Sequence, residues 1–146
     1  MAGRQRDSIR RFMRLASRRR SIAAFMLDSL LSGTGAPEGL ANIAVENAAM
    51  AVECALKGLI LESTPARDRP GAEASFRGSN PHRLEWLRTQ LRIRGVPLPR
   101  TAIQSLARMN WWDYDRRYDL KLIPTEQALE FLTEAGIVVN WAQERV

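Results

Sequence analysis

The sequence predicts an all-α fold, an up-and-down bundle of about five helices, and three observations support this. Apolar residues recur every three or four positions along most of the 146 residues, without the strict alternation that marks a strand. Prolines stand between these periodic segments, where they separate one helix from the next. The apolar content of 45% is sufficient for one continuous core. We therefore expect a single helical domain.

The first two predicted helices are the longest. The first covers about residues 8–31, and the glycines around position 34 end it. The run Arg18-Arg19-Arg20 interrupts its apolar face, so the pattern is equally compatible with two shorter helices. Pro37 suits the first turn of the second helix, which continues to about Glu62 and is the most apolar of the five.

The rest of the chain contains three further predicted helices. The segment from Ser63 to Pro81 holds three prolines and two glycines and is predicted to be a long exposed loop. The third helix follows it and ends at Gly95. A capping box at Thr101 starts the fourth, whose apolar face continues to Tyr114, and the fifth opens at Thr125. Because the other connections are short, neighbouring helices are expected to be antiparallel.

Positive charge is concentrated near the N-terminus. Residues 1–20 hold eight arginines and one aspartate, and the rest of the chain is close to neutral. We interpret residues 1–20 as a basic N-terminal helical segment that is continuous with a bundle of residues 21–146. Guanidinium groups bind phosphate in a bidentate way, so the segment predicts binding to a nucleic-acid backbone or an acidic partner. A genome-wide arginine bias explains the composition equally well, since 20 of the 22 basic residues are arginine. The patch consists of Arg10, Arg11, Arg14, Arg18, Arg19 and Arg20.

Composition excludes several classes of site. A single histidine and a single cysteine cannot form a two-histidine or multi-cysteine metal site in one chain, and there is no phosphate-binding glycine motif or nucleophile elbow. We therefore expect no metal and no cofactor. Cys54 lies in an apolar run and is predicted to be a buried structural thiol. No apolar stretch is long enough to cross a bilayer, and we expect a cytoplasmic protein without membrane contact.

Two places carry candidate functional side chains. His82 is expected at the first turn of the third helix, in a hydrogen-bonding, proton-transfer or plain capping role, and Arg77 precedes it by five residues. The second place is the segment 108–119, which mixes arginines with aromatic residues and aspartates. This mixture predicts a nucleotide or single-stranded RNA site, or equally a salt-bridge network that fixes the link between two helices. Its candidate binding residues are Arg108, Tyr114, Arg116, Arg117 and Tyr118.

Three segments together resemble HEPN domains. Residues 48–60, with Glu53 and the pair Leu56-Lys57 in an apolar helix, resemble the second-helix signature of that family. His82-Arg83-Leu84 is similar to its His-x-Leu opening of the third helix, and Arg117-Tyr118-Asp119 is similar to its Arg-Tyr segment before the final helix. The matches extend over roughly residues 20–145. The resemblance implies a HEPN-like bundle that commonly forms homodimers and is often encoded beside a minimal nucleotidyltransferase in toxin–antitoxin or defence pairs.

The resemblance also bears on activity. Ribonucleases of that family carry an arginine and, a few residues later, a histidine late in the bundle, whereas the comparable stretch here begins at Arg108 and lacks a histidine. This implies a non-catalytic or degenerate binding or regulatory protein that binds RNA, a nucleotide or a nucleotidyltransferase partner. One alternative is a metal-independent endoribonuclease toxin that pairs His82 with Arg77 or Arg108 across a dimer. Another is an interaction subunit that docks on DNA or protein through its basic N-terminal helix.

Overall fold

The computed structural model describes residues 2–33, 35–78 and 80–146, so Met1, Thr34 and Ser79 lie outside the described residues. These positions fall in the predicted N-terminal segment, the predicted stop of the first helix and the predicted mid-chain loop. Within the described ranges the chain is all-helical, as predicted, with six α-helices, three 3-10 turns and no strand. The α-helices are α1 (Ala2–Leu31), α2 (Leu40–Glu62), α3 (Arg69–Ala74), α4 (Leu84–Ile93), α5 (Arg100–Met109) and α6 (Thr125–Gln143). The 3-10 turns are Ala66–Asp68, Asn80–His82 and Tyr114–Tyr118.

Helix α1 is one uninterrupted helix of 30 residues, about 45 Å long. The arginine run therefore does not divide it, because two of these arginines bind neighbouring helices. Arg19 donates a hydrogen bond to Asn47 of α2, and Arg20 donates one to Asn140 of α6. These two arginines flank the apolar face of α1, whose buried residues are Ile9, Ala16, Ala23 and Leu27.

The segment between α2 and α4 is largely exposed in its described residues, as predicted, but the prediction that it is an irregular loop is wrong. It contains a 3-10 turn and the short helix α3, which raises the number of helices from five to six. Arg69 Nε donates hydrogen bonds to the backbone oxygens of Leu61, at 2.9 Å, and Thr64, at 3.0 Å. The Phe76 ring packs edge-on against both Phe12 and Trp86. These contacts hold the segment on the bundle although its prolines and glycines favour turns.

Helix α2 lies at the centre of the core, because every residue from Ala51 to Leu61 is buried. Helices α1, α4 and α6 all pack against it. Gly58 allows α1 to approach closely, since a Cβ at this position would lie 2.9 Å from Cε of Met13. The buried stretch also includes the charged residues Glu53 and Lys57. Charged side chains are rarely buried unless they are paired. The burial of these two residues therefore indicates that each has a partner, which packing of the apolar residues alone does not explain.

Helix α4 runs in the same direction as α2. His82, just before α4, is bonded to Glu53 in the middle of α2, whereas Arg94, just after α4, donates a hydrogen bond to Thr64 beyond the end of α2. The connection between the two helices therefore carries the chain back along α2 before α4 begins. This return places His82 against the buried part of α2.

Candidate functional site

A buried ion pair forms the base of the candidate site. Glu53 and Lys57 are one turn apart on α2, and their side chains are only 5% and 9% exposed. Lys57 Nζ lies 2.7 Å from Glu53 Oε1, and it also lies over the ring of Phe76, 5.5 Å from the ring centre. Removal of either partner would leave an uncompensated charge in the core. The two residues are therefore stable only as a pair.

His82 binds the same carboxylate oxygen. Its Nδ1 lies 2.6 Å from Glu53 Oε1, and its side chain is 24% exposed. Because a carboxylate paired with Lys57 only accepts hydrogen bonds, Nδ1 carries the proton of this bond. Among the groups that the structure describes, Nε2 has no hydrogen-bond partner. A carboxylate thus orients the imidazole, which is the geometry used for proton transfer or for hydrogen bonding to a ligand.

A column of stacked side chains extends outward from His82. Tyr114 stacks on the imidazole with ring centres 4.0 Å apart and planes within 5°. Arg117 lies 3.6 Å from the centre of the Tyr114 ring, and since His82 covers one face, the guanidinium covers the other. Arg117 also lies 4.6 Å from the ring centre of Tyr118, which is 76% exposed. Both faces of Tyr114 are therefore occupied, and the exposed end of the column is Tyr118.

Hydrogen bonds from two side chains to the backbone fix the turn that carries Tyr114, Arg117 and Tyr118. Helix α5 ends at Met109, earlier than predicted, and Asp113 then caps the 3-10 turn by accepting hydrogen bonds from the backbone N–H groups of Asp115 and Arg116. Beyond the turn, Asn42 of α2 donates to the backbone oxygen of Lys121 at 2.8 Å and accepts from the N–H of residue 123 at 2.9 Å. The turn is thus held at both ends.

A cleft of about 440 Å³ opens beside His82. Three exposed carboxylate side chains that line it, Glu85, Asp113 and Asp115, outnumber the single arginine, Arg83. The remaining walls are mostly apolar and come from α2, α4 and α5. Negative charge therefore predominates in the cleft, which disfavours a phosphate group inside it.

The structure brings together only some of the predicted site residues. The side chain of Arg77 is exposed and makes no hydrogen bond within the described ranges, although it precedes His82 closely in the sequence. Arg108 pairs with Glu134 of α6 at 3.3 Å and does not line the His82 cleft. Arg116 lines a different, small cleft of about 160 Å³. No ion pair joins the aspartates and arginines of residues 108–119, all of which the structure describes, so the predicted salt-bridge network is not formed.

The arginines of the basic N-terminal patch divide into two groups. Arg11 pairs with Glu73 at 3.1 Å, and Arg19 and Arg20 bind asparagines of α2 and α6. Arg10, Arg14 and Arg18 are exposed and, in the part of the chain that the structure describes, have no acidic partner. Half of the patch thus stabilises the bundle and half faces solvent.

Sequence reasoning did not identify Glu53, Lys57 and Asn42 as members of the site. Two charged residues at an i, i+4 spacing inside the most apolar helix were the available signal for the first two. Cys54, next to Glu53, is buried as predicted, and burial together with the neighbouring Glu53 charge raises its pKa to about 11. The thiol is therefore not a nucleophile at neutral pH.

Neither the family models, nor the curated proteins, nor the solved structures include a significant match to this chain. Across residues 2–33, 35–78 and 80–146, no helix combines the length and hydrophobicity needed to span a bilayer. In those same ranges no group of three or more histidine, cysteine, aspartate or glutamate side chains is arranged to hold a metal ion.

Proposed function

We propose that this chain is a HEPN-like, non-catalytic RNA-binding protein that holds a nucleobase on the outer face of Tyr118. The observation that carries the proposal is the column His82–Tyr114–Arg117–Tyr118, which is anchored on a buried ion pair and ends in an exposed aromatic ring. Single-stranded RNA is commonly bound by stacking of unpaired bases on such rings.

The surroundings of Tyr118 suit a nucleotide better than the His82 cleft does. Arg117 lies beneath the Tyr118 ring, and Arg116 and Lys121 are exposed nearby in the sequence. These three cations can neutralise the phosphates that flank a stacked base. Two of the neighbouring aspartates, Asp113 and Asp119, accept hydrogen bonds from backbone N–H groups. Their charge is therefore partly offset at the turn itself.

The absence of catalysis is proposed from the electrostatics of the cleft. Phosphodiester cleavage needs positive charge beside the proton-transfer group, to stabilise the charge that develops on the phosphate. Around His82 the carboxylates outnumber the arginines, and neither Arg77 nor Arg108 is bonded to it or shares its cleft within the chain. In this proposal the oriented His82 imidazole has a structural role, as the surface on which the Tyr114 ring stacks.

The HEPN resemblance adds partners to the proposal. It favours a cytoplasmic homodimer that works with a nucleotidyltransferase-type protein in a toxin–antitoxin or defence pair. Sedimentation of the purified chain, alone and after coexpression with the product of the neighbouring gene, tests both interactions. A chain that sediments as a monomer in both preparations would contradict them.

Substitution of Tyr118 tests RNA binding directly. Tyr118→Ala is expected to weaken binding of a short single-stranded RNA by about 5- to 150-fold, because stacking contributes about 1–3 kcal/mol per base. Tyr118→Phe keeps the aromatic face and should bind like the unmodified protein. Leu120→Ala is the matched control, because Leu120 is 93% exposed and has no aromatic ring. Fluorescence anisotropy of labelled RNA measures all four proteins, and equal affinities for Tyr118→Ala and Leu120→Ala would exclude this site.

A second candidate, a metal-independent endoribonuclease, is favoured by one observation. The 2.6 Å contact from Glu53 holds the His82 imidazole as a general base is held in many hydrolases. In that case the missing arginine comes from a second copy of the chain. Labelled RNA incubated in EDTA decides between the candidates: cleavage that co-elutes with the protein and is abolished by His82→Ala establishes the enzyme, whereas intact RNA supports binding alone.

A further inference from the structure

The exposed side of α1 carries a row of arginines at a constant spacing. Arg6, Arg10, Arg14 and Arg18 are each four residues apart, and all four are exposed. At about 1.5 Å per residue the row is about 18 Å long, with neighbouring members about 6 Å apart. The last three line an open groove of about 1160 Å³ beside α6, in which Asp7 is the one acidic side chain.

These four arginines have acidic side chains in their vicinity, since Glu62 lines a cleft with Arg6 and Arg10 and Asp7 lines the groove, but they are not paired with them. Within residues 2–33, 35–78 and 80–146 none of them forms an ion pair, not even with Asp7. Like charges four residues apart on a helix repel one another and destabilise it. Three other arginines of α1 bind Glu73, Asn47 and Asn140, as described above. The row therefore consists of arginines that the fold itself does not use, and Arg4, the eighth arginine of α1, is also exposed but lies outside this spacing.

We propose that this row, Arg6, Arg10, Arg14 and Arg18, is a binding surface for the phosphodiester backbone of a nucleic acid. Evenly repeated cations match an evenly repeated anion, and the guanidinium group forms the bidentate bonds that phosphate accepts. An acidic protein has no comparable regular repeat of charge, so a nucleic acid fits the row better. The groove shares no lining residue with the His82 cleft, and the proposal does not depend on the function proposed for Tyr118.

The dependence of binding on salt tests the row. A protein that neutralises phosphates releases counterions, so the logarithm of its binding constant falls linearly with the logarithm of the salt concentration. Replacement of Arg10, Arg14 and Arg18 by Gln should reduce that slope by about 2 on single-stranded RNA and by about 3 on duplex DNA. A reduction on only one probe identifies which nucleic acid the row binds. The matched control replaces three exposed arginines outside α1, Arg67, Arg92 and Arg100, by Gln, which removes the same net charge.

Three results have distinct meanings. A reduced slope in the α1 variant and an unchanged slope in the control variant support the proposal. Equal slopes in the two variants overturn it. The proposal is also overturned if polyglutamate of the same length binds the unmodified protein as tightly as RNA does. Tyr118→Ala lowers affinity without a change of slope, because stacking releases no counterions, so the two binding surfaces are tested separately. Circular dichroism confirms that each variant remains helical.

Discussion

The His82 site and the arginine row of α1 contain charged groups in opposite arrangements. At the buried end of the His82 site the charges meet partners inside the protein: Glu53 accepts bonds from Lys57 and His82, and further out Arg117 stacks on Tyr114. Along the row, four arginines stand in sequence without an ion pair in the described part of the chain. The buried charges of the His82 site are paired within the fold, whereas those of the row are not.

Burial explains this difference. A charge in the core destabilises the protein by several kcal/mol unless it is paired, whereas an exposed charge is solvated at little cost. Buried charged groups therefore need partners within the fold. Exposed groups of one sign can remain unpaired until a ligand of opposite charge binds. In the functions proposed above, the His82 site would therefore act through its exposed end at Tyr118, and the row on α1 would bind through its charges themselves.

The largest expected effect comes from breaking the buried pair. Glu53→Leu leaves Lys57 charged in the core and removes the partner of His82, so the free energy of unfolding should fall by about 3–5 kcal/mol. Denaturation in urea measures the change. The double variant Glu53→Leu with Lys57→Met removes both charges and should recover most of the loss. If the free energy of unfolding of the single variant falls by less than about 1 kcal/mol, Lys57 reaches water without its partner, and the prediction that it needs Glu53 is wrong.

The second prediction concerns Cys54, which lies next to Glu53 in the same buried stretch. Its pKa is raised from an ordinary value of 9.0 to about 11, mainly by burial and further by the charge of Glu53. Because the folded-state pKa is the higher one, this contribution to stability is complete below pH 9 and is lost as the pH rises towards 11. A shift of about 2 pKa units corresponds to at most about 3 kcal/mol.

Alkylation at pH 8 provides the measurement for Cys54. The thiolate fraction, and with it the rate of reaction with iodoacetamide, should be about 100-fold lower in the folded protein than in urea. Urea-unfolded protein is the control, since the same thiol is then solvated. A folded protein that reacts at the unfolded rate would contradict a dry environment beside the buried pair.

Periodicity in the sequence was sufficient to predict the helical bundle and to identify α2 as its most apolar helix. It was not sufficient for α3, because this helix depends on tertiary contacts of Arg69 and Phe76 rather than on a repeating apolar pattern. The end of α5 at Met109 was also missed, since the apolar spacing continues to Tyr114 while the backbone does not. Periodicity describes one face of a helix, and these features are fixed by contacts between segments.

The candidate site was predicted in pieces for the same reason. His82 and Tyr114 were both identified, but they belong to different predicted elements, and nothing in their spacing indicates that they stack. The contact between His82 and Glu53 joins residues 29 positions apart and exists because the chain returns along α2. Conversely, Arg108 is close to Arg117 in sequence, yet it lies on α5 and pairs with Glu134 of α6. The spacing in the sequence does not distinguish the residues that meet from those that do not. The arrangement of the helices in three dimensions does.

The smallest expected effect is a gain of stability on α1. Replacement of Arg10, Arg14 and Arg18 by Gln relieves the repulsion between neighbours in the row, and Gln has a helix propensity similar to that of Arg. At low ionic strength the free energy of unfolding should rise by about 0.5–1 kcal/mol, and the gain should disappear in 1 M salt, where the Debye length is about 3 Å. Urea denaturation at the two salt concentrations measures it. The Arg67, Arg92 and Arg100 variant should change little at either concentration, because those arginines do not form a row. A loss of stability in the α1 variant would instead mean that the row is held by partners within the chain, and the contrast with the His82 site would then no longer hold.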